Sequence, residues 1–430
     1  MGRSQWLKLG SKNQVIFKAY MQHGHLLERI IANFNSHFFM NDFVFLNPKY
    51  FRGGSEKELC DLLLILNDEC IVVSVKGTDG KYKSDSKLQN WLVKKTWEGS
   101  KQAKGGINWL KKVSFTGRNL WNEDRKFEPN SLRAICGLTL LECSQHPFNP
   151  IGYEIRQPKS DVPLHLLSIN DFLNVVVWLG SIRDVFDYFS ERANVSHTFT
   201  GINQERPLLA YYTLRSKDVN GFLEEDKEEL SAMHQLHLME NLDRYKERDR
   251  LAGYVNAIVR ELHTRSPSIE SYMPPEFMGH VEPLEKRSAY LQMAAMLNAL
   301  PISNKVYLGQ EIESLLKDLR HSGQAGCFPF KPLLREFVFL FAFFSKLPRT
   351  QRIHNLHSML PAALYRYNVT EGLGVAFDAD NSDSGFDLMW VRDRNTFDEN
   401  DRKLSEFLFP GPEQQLVADL FGQTRPYLPK

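Results

Sequence analysis

The sequence predicts an α/β protein, with a sheet domain over residues 1–150, a mainly helical domain over 151–275 and a smaller α+β domain over 284–430. Three observations predict it. Two apolar runs, Leu62 to Leu66 and Ile71 to Val73, flank Asn67-Asp68 and read as a β-hairpin buried on both faces. Apolar residues recur at helical spacing through 13–36, 168–192 and 222–264. Beyond residue 284, helical and strand-like stretches alternate.

Leu26, Leu27, Ile30, Ile31 and Phe34 define an opening helix. A first strand is expected over 38–45, and Arg52-Gly53-Gly54-Ser55 marks a turn. In the hairpin, Asn-Asp tolerates the positive φ of a tight turn. Counting outward pairs Leu66 with Glu69 and Leu63 with Val72. Asp61 then lies opposite Ser74, with Lys76 on the same face one pleat further on. A helix is expected over 91–113 with an interruption at Gly105-Gly106, then a strand over 114–120. The run 134–144 is expected as the last strand of the first domain, before a boundary at Pro147, Pro150, Pro158 and Pro163. Ser168 caps a single helix reaching Arg192, and a long charged helical stretch covers 222–264. After a second proline-rich boundary at 266–283, the expected order is helix 284–300, strand 305–308, helix to 320, strand 334–344 and helix 351–365. Strands 374–377 and 386–391 and a helix from residue 400 complete it.

The formal net charge is +1, which excludes a broadly polybasic protein, and the apolar content of 42% supports sizeable cores. Five cysteines without a CxxC pair read as reduced thiols, with neither a disulfide framework nor a zinc site. No signal peptide is read at the N-terminus, and the longest apolar run, 337–344, is too short to span a membrane. The chain lacks a phosphate-loop signature and a dinucleotide glycine fingerprint. Residues 378–385 lack the glycine and closing glutamate of a calcium loop. His234 and His237 share a helical face without a third ligand nearby, which favours a structural role.

Charge is nevertheless uneven. Ten lysines fall between Lys76 and Lys112, opposed only by Asp79, Asp85 and Glu98 and interleaved with Trp91, Trp97 and Trp109. Lysines neutralise phosphates and aromatic rings stack on bases, although each tryptophan taken singly is expected in the core. Burying Asp61 and Lys76 at the ends of apolar strands is costly unless they pair or bind a metal. A structural pair and a functional one both satisfy that requirement.

The pattern Asn47-Pro48-Lys49, Lys57-Glu58-x-x-Asp61-Leu62-Leu63, Ser74-x-Lys76, Trp91 and Lys101-Gln102 resembles the PD-(D/E)xK, restriction-endonuclease-like superfamily, over about residues 40–112. More narrowly, it resembles a group of bacterial nuclease-like proteins. The resemblance implies a restriction-endonuclease-like N-terminal domain with a central mixed sheet, and a nuclease that hydrolyses phosphodiester bonds with Mg²⁺ or Mn²⁺. The expected polymer is DNA. By the same resemblance Asp61 and the Val75 carbonyl are metal ligands, Lys76 positions the attacking water, and Gln102 orients water or phosphate. Ser74 stands where the superfamily carries Asp or Glu, and a hydroxyl is a weaker ligand for a hard cation. Glu58, or Glu28 on the first helix, can supply the missing carboxylate. Glu58 falls on the wrong face unless the strand begins after it or carries a bulge. Lys81, Lys83, Lys87, Lys94, Lys95, Lys101 and Lys104 would hold the nucleic-acid backbone without reading sequence. Ser74 fits equally a domain that binds nucleic acid without cutting it, and a third reading makes 150–430 a sensor of a partner or trigger. The family analogy further implies a cytoplasmic protein of antiviral defence against foreign DNA with no membrane partner. A homo-oligomer and an activating protein partner both stay open.

Overall fold

The structure is a computed structural model. It describes residues 27–32, 43–77, 85–120, 124–142, 158–195, 205–214, 217–222, 226–264, 294–322, 326–331, 337–345, 347–378, 386–391, 394 and 396–409. Lys81, Lys83, the loop 379–385 and the side chains of His234 and His237 lie outside the described residues. The chain divides into two compact units, 1–240 and 241–430, so the stretch expected as one helical domain over 151–275 is shared between them.

The first unit is a mixed α/β structure around one large sheet. Its strands are β1 (Val44–Arg52), β2 (Ser55–Glu58), β3 (Leu62–Leu66), β4 (Glu69–Lys76), β5 (Phe115–Asn119), β6 (Asp124–Phe127), β7 (Arg133–Leu141) and β8 (Leu164–Ser168). The order across the sheet is β6-β5-β1-β3-β4-β7-β8, with β2 also paired to β1. The hairpin forms as read, with Asn67 at φ 57° and Leu63 opposite Val72. All five side chains of β3 are buried, each worth about 1.5–3 kcal/mol over an exposed position. β4 then pairs in parallel with β7, and β7 with β8. The sheet therefore continues past the run expected as its last strand. Leu164 to Ser168 is as apolar as a doubly covered parallel strand requires.

Helix α1 (Asp85–Leu110) lies over β4 and β7 and is not interrupted at Gly105-Gly106. Gly106 is a close approach and not a break: a Cβ there would come within 2.9 Å of both the Leu59 carbonyl oxygen and Val72 Cγ1. Ala103, Ile107 and Leu110 join Leu63, Ile65, Cys70 and Val72 in the core between helix and sheet. The expected helix 168–192 is two helices, α2 (Ile169–Leu179) and α3 (Ile182–Arg192). Gly180 closes α2 in the left-handed region at φ 72°, and Ser181 caps α3 by accepting from the Asp184 amide. Helices α4 (Glu205–Leu214) and α5 (Lys227–Glu240) follow, and the described residues 27–32, which include Glu28, are also helical.

A fully buried polar network ties β8, α3 and α4 together. Arg192 Nε and Nη2 donate to the two Glu205 carboxylate oxygens at 2.7 and 2.9 Å, and Tyr188 also donates to Glu205. Arg192 Nη1 lies 2.9 Å from His165 Nδ1. Guanidinium has no acceptor, so Nδ1 accepts and Nε2 carries the proton donated to the Phe189 carbonyl at 3.0 Å. Burial first, and then the Arg192 charge, hold the His165 pKa well below the ordinary value, so the ring is neutral.

In the second unit, α6 (Leu242–Thr264) packs against α7 (Ile302–Ser322). The residues 305–308, expected as a strand, lie inside α7, where Val306, Leu308 and Ile312 are buried. A Cβ at Gly309 would meet the Leu251 carbonyl oxygen at 2.1 Å. Gly309→Ala is expected to destabilise this unit by about 1–3 kcal/mol, read as a lower denaturation midpoint. A four-stranded sheet follows in the order β12-β11-β10-β9, from β9 (Gly326–Phe330), β10 (Phe337–Phe344), β11 (Glu371–Asp378) and β12 (Phe386–Val391). α8 (Arg349–Tyr367) connects the parallel pair β10 and β11 and buries Leu356, Leu360, Ala363 and Leu364 against Val338, Leu340, Ala342 and Ala376. α9 (Glu399–Leu408) ends the described chain, opened by a capping box at Asp398 and Asp401.

Candidate active site

The period of two along the strands decides which side chains meet. Cys70, Val72, Ser74 and Lys76 of β4, with Leu63 and Ile65 of β3, alternate onto the face that α1 covers. Asp61, immediately before β3, falls on that face, and Gln102 enters from α1. Asp61, Ser74 and Lys76 converge as the register requires, and Gln102 joins them from the helix. Asp61 is 4% exposed and Ser74 is fully buried.

Four donors surround the Asp61 carboxylate. Oδ2 accepts from the Val75 amide at 2.5 Å, from Ser74 Oγ at 3.2 Å and from Lys76 Nζ at 3.2 Å. Oδ1 accepts from Gln102 Nε2 at 2.6 Å. Gln102 Oε1 in turn accepts from Lys76 Nζ at 2.6 Å and lies 2.9 Å from Ser74 Oγ, whose single proton is shared between it and Asp61 Oδ2. Lys76 Nζ also donates to the Val75 carbonyl at 3.1 Å. The result is a buried anion locked beside an ammonium group that is itself 17% exposed. Ser74 acts as a hydrogen-bond bridge between Asp61 and Gln102.

Glu58 reaches this site through an irregularity of β1. The register of β1 against β5 shifts between Leu46 and Lys49, where Asn47 has φ 46°. There the Asn47 amide donates to the Asp61 carbonyl at 3.1 Å and the Leu59 amide donates to the Pro48 carbonyl at 2.7 Å. The strand is thereby broken into β2 and β3, and the rule that residues three apart face opposite sides no longer holds. β2 is exposed, Glu58 included, but the Glu58 carboxyl lies close enough to Asp61 to interact with it. Its pKa is pushed up to about 7, first by burial, then by hydrogen bonding to Asp61 and by the charges of Asp61 and Glu28, with Lys76 opposing. Carboxyl NMR is expected to show Glu58 losing its proton near pH 7, and closer to the ordinary 4.5 in Asp61→Asn. The folded-state value lies above the ordinary one. Protonation of Glu58 therefore stabilises the fold at low pH, and that contribution is lost as pH rises from 4.5 to about 7.

Glu28 is buried at 8% exposure and accepts from Asn47 Nδ2 at 3.4 Å. The other end of that amide, Asn47 Oδ1, is buried with no hydrogen-bond partner. Asn47 was not assigned a role from sequence; its position in Asn47-Pro48-Lys49, before a proline, is the only local signal. Among the described residues, no three His, Cys, Asp or Glu side chains gather closely enough to hold a metal ion by themselves. The donor chemistry still fits a hard divalent cation. The set is all oxygen, it includes a protonatable carboxyl bonded to a carboxylate, and it leaves one amide oxygen unpartnered. Mg²⁺ is commonly held by one or two carboxylates and keeps several waters.

The lysines divide. Lys87, Lys94 and Lys101 are exposed on α1, Lys104 is half-buried, and Lys95 pairs with Glu98 at 2.5 Å. The tryptophans do not share one fate. Trp91 packs beside Leu92, Leu141 and Leu166, and Trp109 stacks on Tyr50 with ring centres 5.2 Å apart. Trp97, expected in the core, is 43% exposed because its helical position faces away from the sheet.

No protein-family model, no curated protein and no solved structure matches the chain. Among the described residues, no helix is long and apolar enough to cross a membrane.

Proposed function

We propose that the chain is a metal-dependent nuclease with a restriction-endonuclease-like first domain, hydrolysing phosphodiester bonds of nucleic acid, with DNA as the expected polymer. The observation that carries this reading is the convergence of Asp61, Val75, Lys76 and Gln102 on one covered face, with Glu58 brought in by the break between β2 and β3. Asp61, Glu58 and the Val75 carbonyl would hold Mg²⁺ or Mn²⁺, with Glu28 and Asn47 beside them. When bound, the ion supplies Lewis-acid polarisation of the phosphate and a more acidic water. The protein's own groups do the rest. The Lys76 ammonium offsets charge that develops on the phosphate oxygens. Gln102, whose amide is oriented by Asp61 and Lys76, directs hydrogen bonds toward the attacking water or the phosphate.

The test is cleavage of plasmid and of linear single- and double-stranded substrates in EDTA, Mg²⁺ or Mn²⁺. Cutting is expected only with metal, and Asp61→Asn is expected to abolish it. Undiminished cutting by that variant rejects the reading. A second reading, a domain that binds without cutting, is favoured by one observation: Ser74 is committed to bridging Asp61 and Gln102 and brings no charge to a cation. Salt-sensitive binding without cleavage in either metal would select it.

A further inference from the structure

We propose that the exposed face of α1 is a track for single-stranded nucleic acid, with Trp97 as the platform on which a base stacks. The proposal deepens the nuclease reading and rests on it for the kind of polymer bound. Lys87, Asn90, Lys94, Trp97, Lys101 and Lys104 follow one another at alternating steps of three and four residues, so they form a single stripe along α1. The stripe is roughly 25 Å long at the helical rise. It contains no carboxylate. The nearest, Glu98, is held by Lys95 at 2.5 Å and comes only within 3.9 Å of Lys94. Lys87, Lys101 and Lys104 form no ion pair among the described residues, and their charge is therefore available to a polyanion.

Trp97 decides which polyanion. Of the three tryptophans in this segment, Trp91 is used in packing, and Trp109 stacks on Tyr50 with the Arg52 guanidinium 4.6 Å from its ring. Trp97 projects from the middle of the lysine stripe at 43% exposure. An intact duplex keeps its base faces stacked on one another and offers this ring nothing to cover. A single strand offers a π-face at every nucleotide, while lysines on either side hold its phosphates. Lys101 of the stripe and Gln102 of the site are consecutive in α1 and therefore on different faces, so the track lies on the solvent side of the same helix whose inner side carries Gln102.

The experiment is fluorescence anisotropy in EDTA with labelled oligothymidylate, oligouridylate and a duplex of equal length, on wild type, Trp97→Ala and Lys94→Gln/Lys101→Gln. Circular dichroism melting of each variant confirms folding. Single strands are expected to bind more tightly than duplex and to quench tryptophan fluorescence. Trp97→Ala is expected to weaken single-strand binding about tenfold, and the lysine variant to flatten the salt dependence. The two single strands together separate DNA from RNA. Equal or tighter binding of duplex, or an unchanged affinity in Trp97→Ala, overturns the track. Metal-dependent cutting of duplex without single-strand binding rejects the track and leaves the nuclease intact. Single-strand binding sensitive to Trp97, without cutting in any metal, does the reverse.

Discussion

Lys76→Ala is expected to lower metal-dependent cleavage by about 10²–10³-fold, the usual loss when one preorganised donor to a charged transition state is removed. The fold should survive it. Asp61 keeps the Val75 amide, Ser74 and Gln102 as donors after Lys76 is gone, so its buried carboxylate is not left bare. The readout that separates catalysis from structure is the pair of kcat and melting temperature, with kcat collapsing and melting nearly unchanged. Lys76→Arg should not rescue, because a planar fork cannot replace a compact ammonium that contacts Asp61, Val75 and Gln102 together. A Lys76→Ala enzyme as fast as wild type would remove Lys76 from the chemistry.

Glu205→Gln carries the largest expected effect on stability. Arg192 is 1% exposed and receives its compensation from the Glu205 carboxylate. His165 cannot replace that charge, since it is neutral and already committed to Phe189. Removing one partner of a buried pair leaves an uncompensated charge, at about 3–5 kcal/mol, measured as a shift in urea midpoint. The double variant Arg192→Met/Glu205→Leu is expected to recover only part of the loss, because it removes both charges but leaves the Tyr188 hydroxyl and His165 Nδ1 buried without their partners. A loss below about 1 kcal/mol in Glu205→Gln would show instead that water reaches Arg192.

What could be read in advance was local. Asn67 between two apolar runs specifies a turn and a register, and the register alone sets Asp61, Ser74 and Lys76 on one face. Glu58 could be placed near Asp61 only on the condition of a bulge or a late strand start, because its position depends on Asn47 and Pro48 in a neighbouring strand. The strand expected at 305–308 failed because four residues of alternating polarity fit both periods, and the flanking residues through Ser322 decide for the helix. β9 went unread because Pro329 sits inside it, which is tolerated since, among the described residues, β9 is an edge strand paired with β10 alone. The break at Gly180 was hidden by apolar residues that keep helical spacing on both sides of it.

The parallel pairing of β4 with β7 also has a kinetic consequence. The β3–β4 hairpin closes over two residues and can form early, but the partner of β4's other edge begins at Arg133. Until that distant segment arrives, the apolar edge from Ile71 to Val75 is an unsatisfied ladder, open to another copy of itself. Refolding yield is therefore expected to fall with protein concentration, and a chain ending before residue 133 should aggregate even though it contains Asp61, Ser74, Lys76 and Gln102.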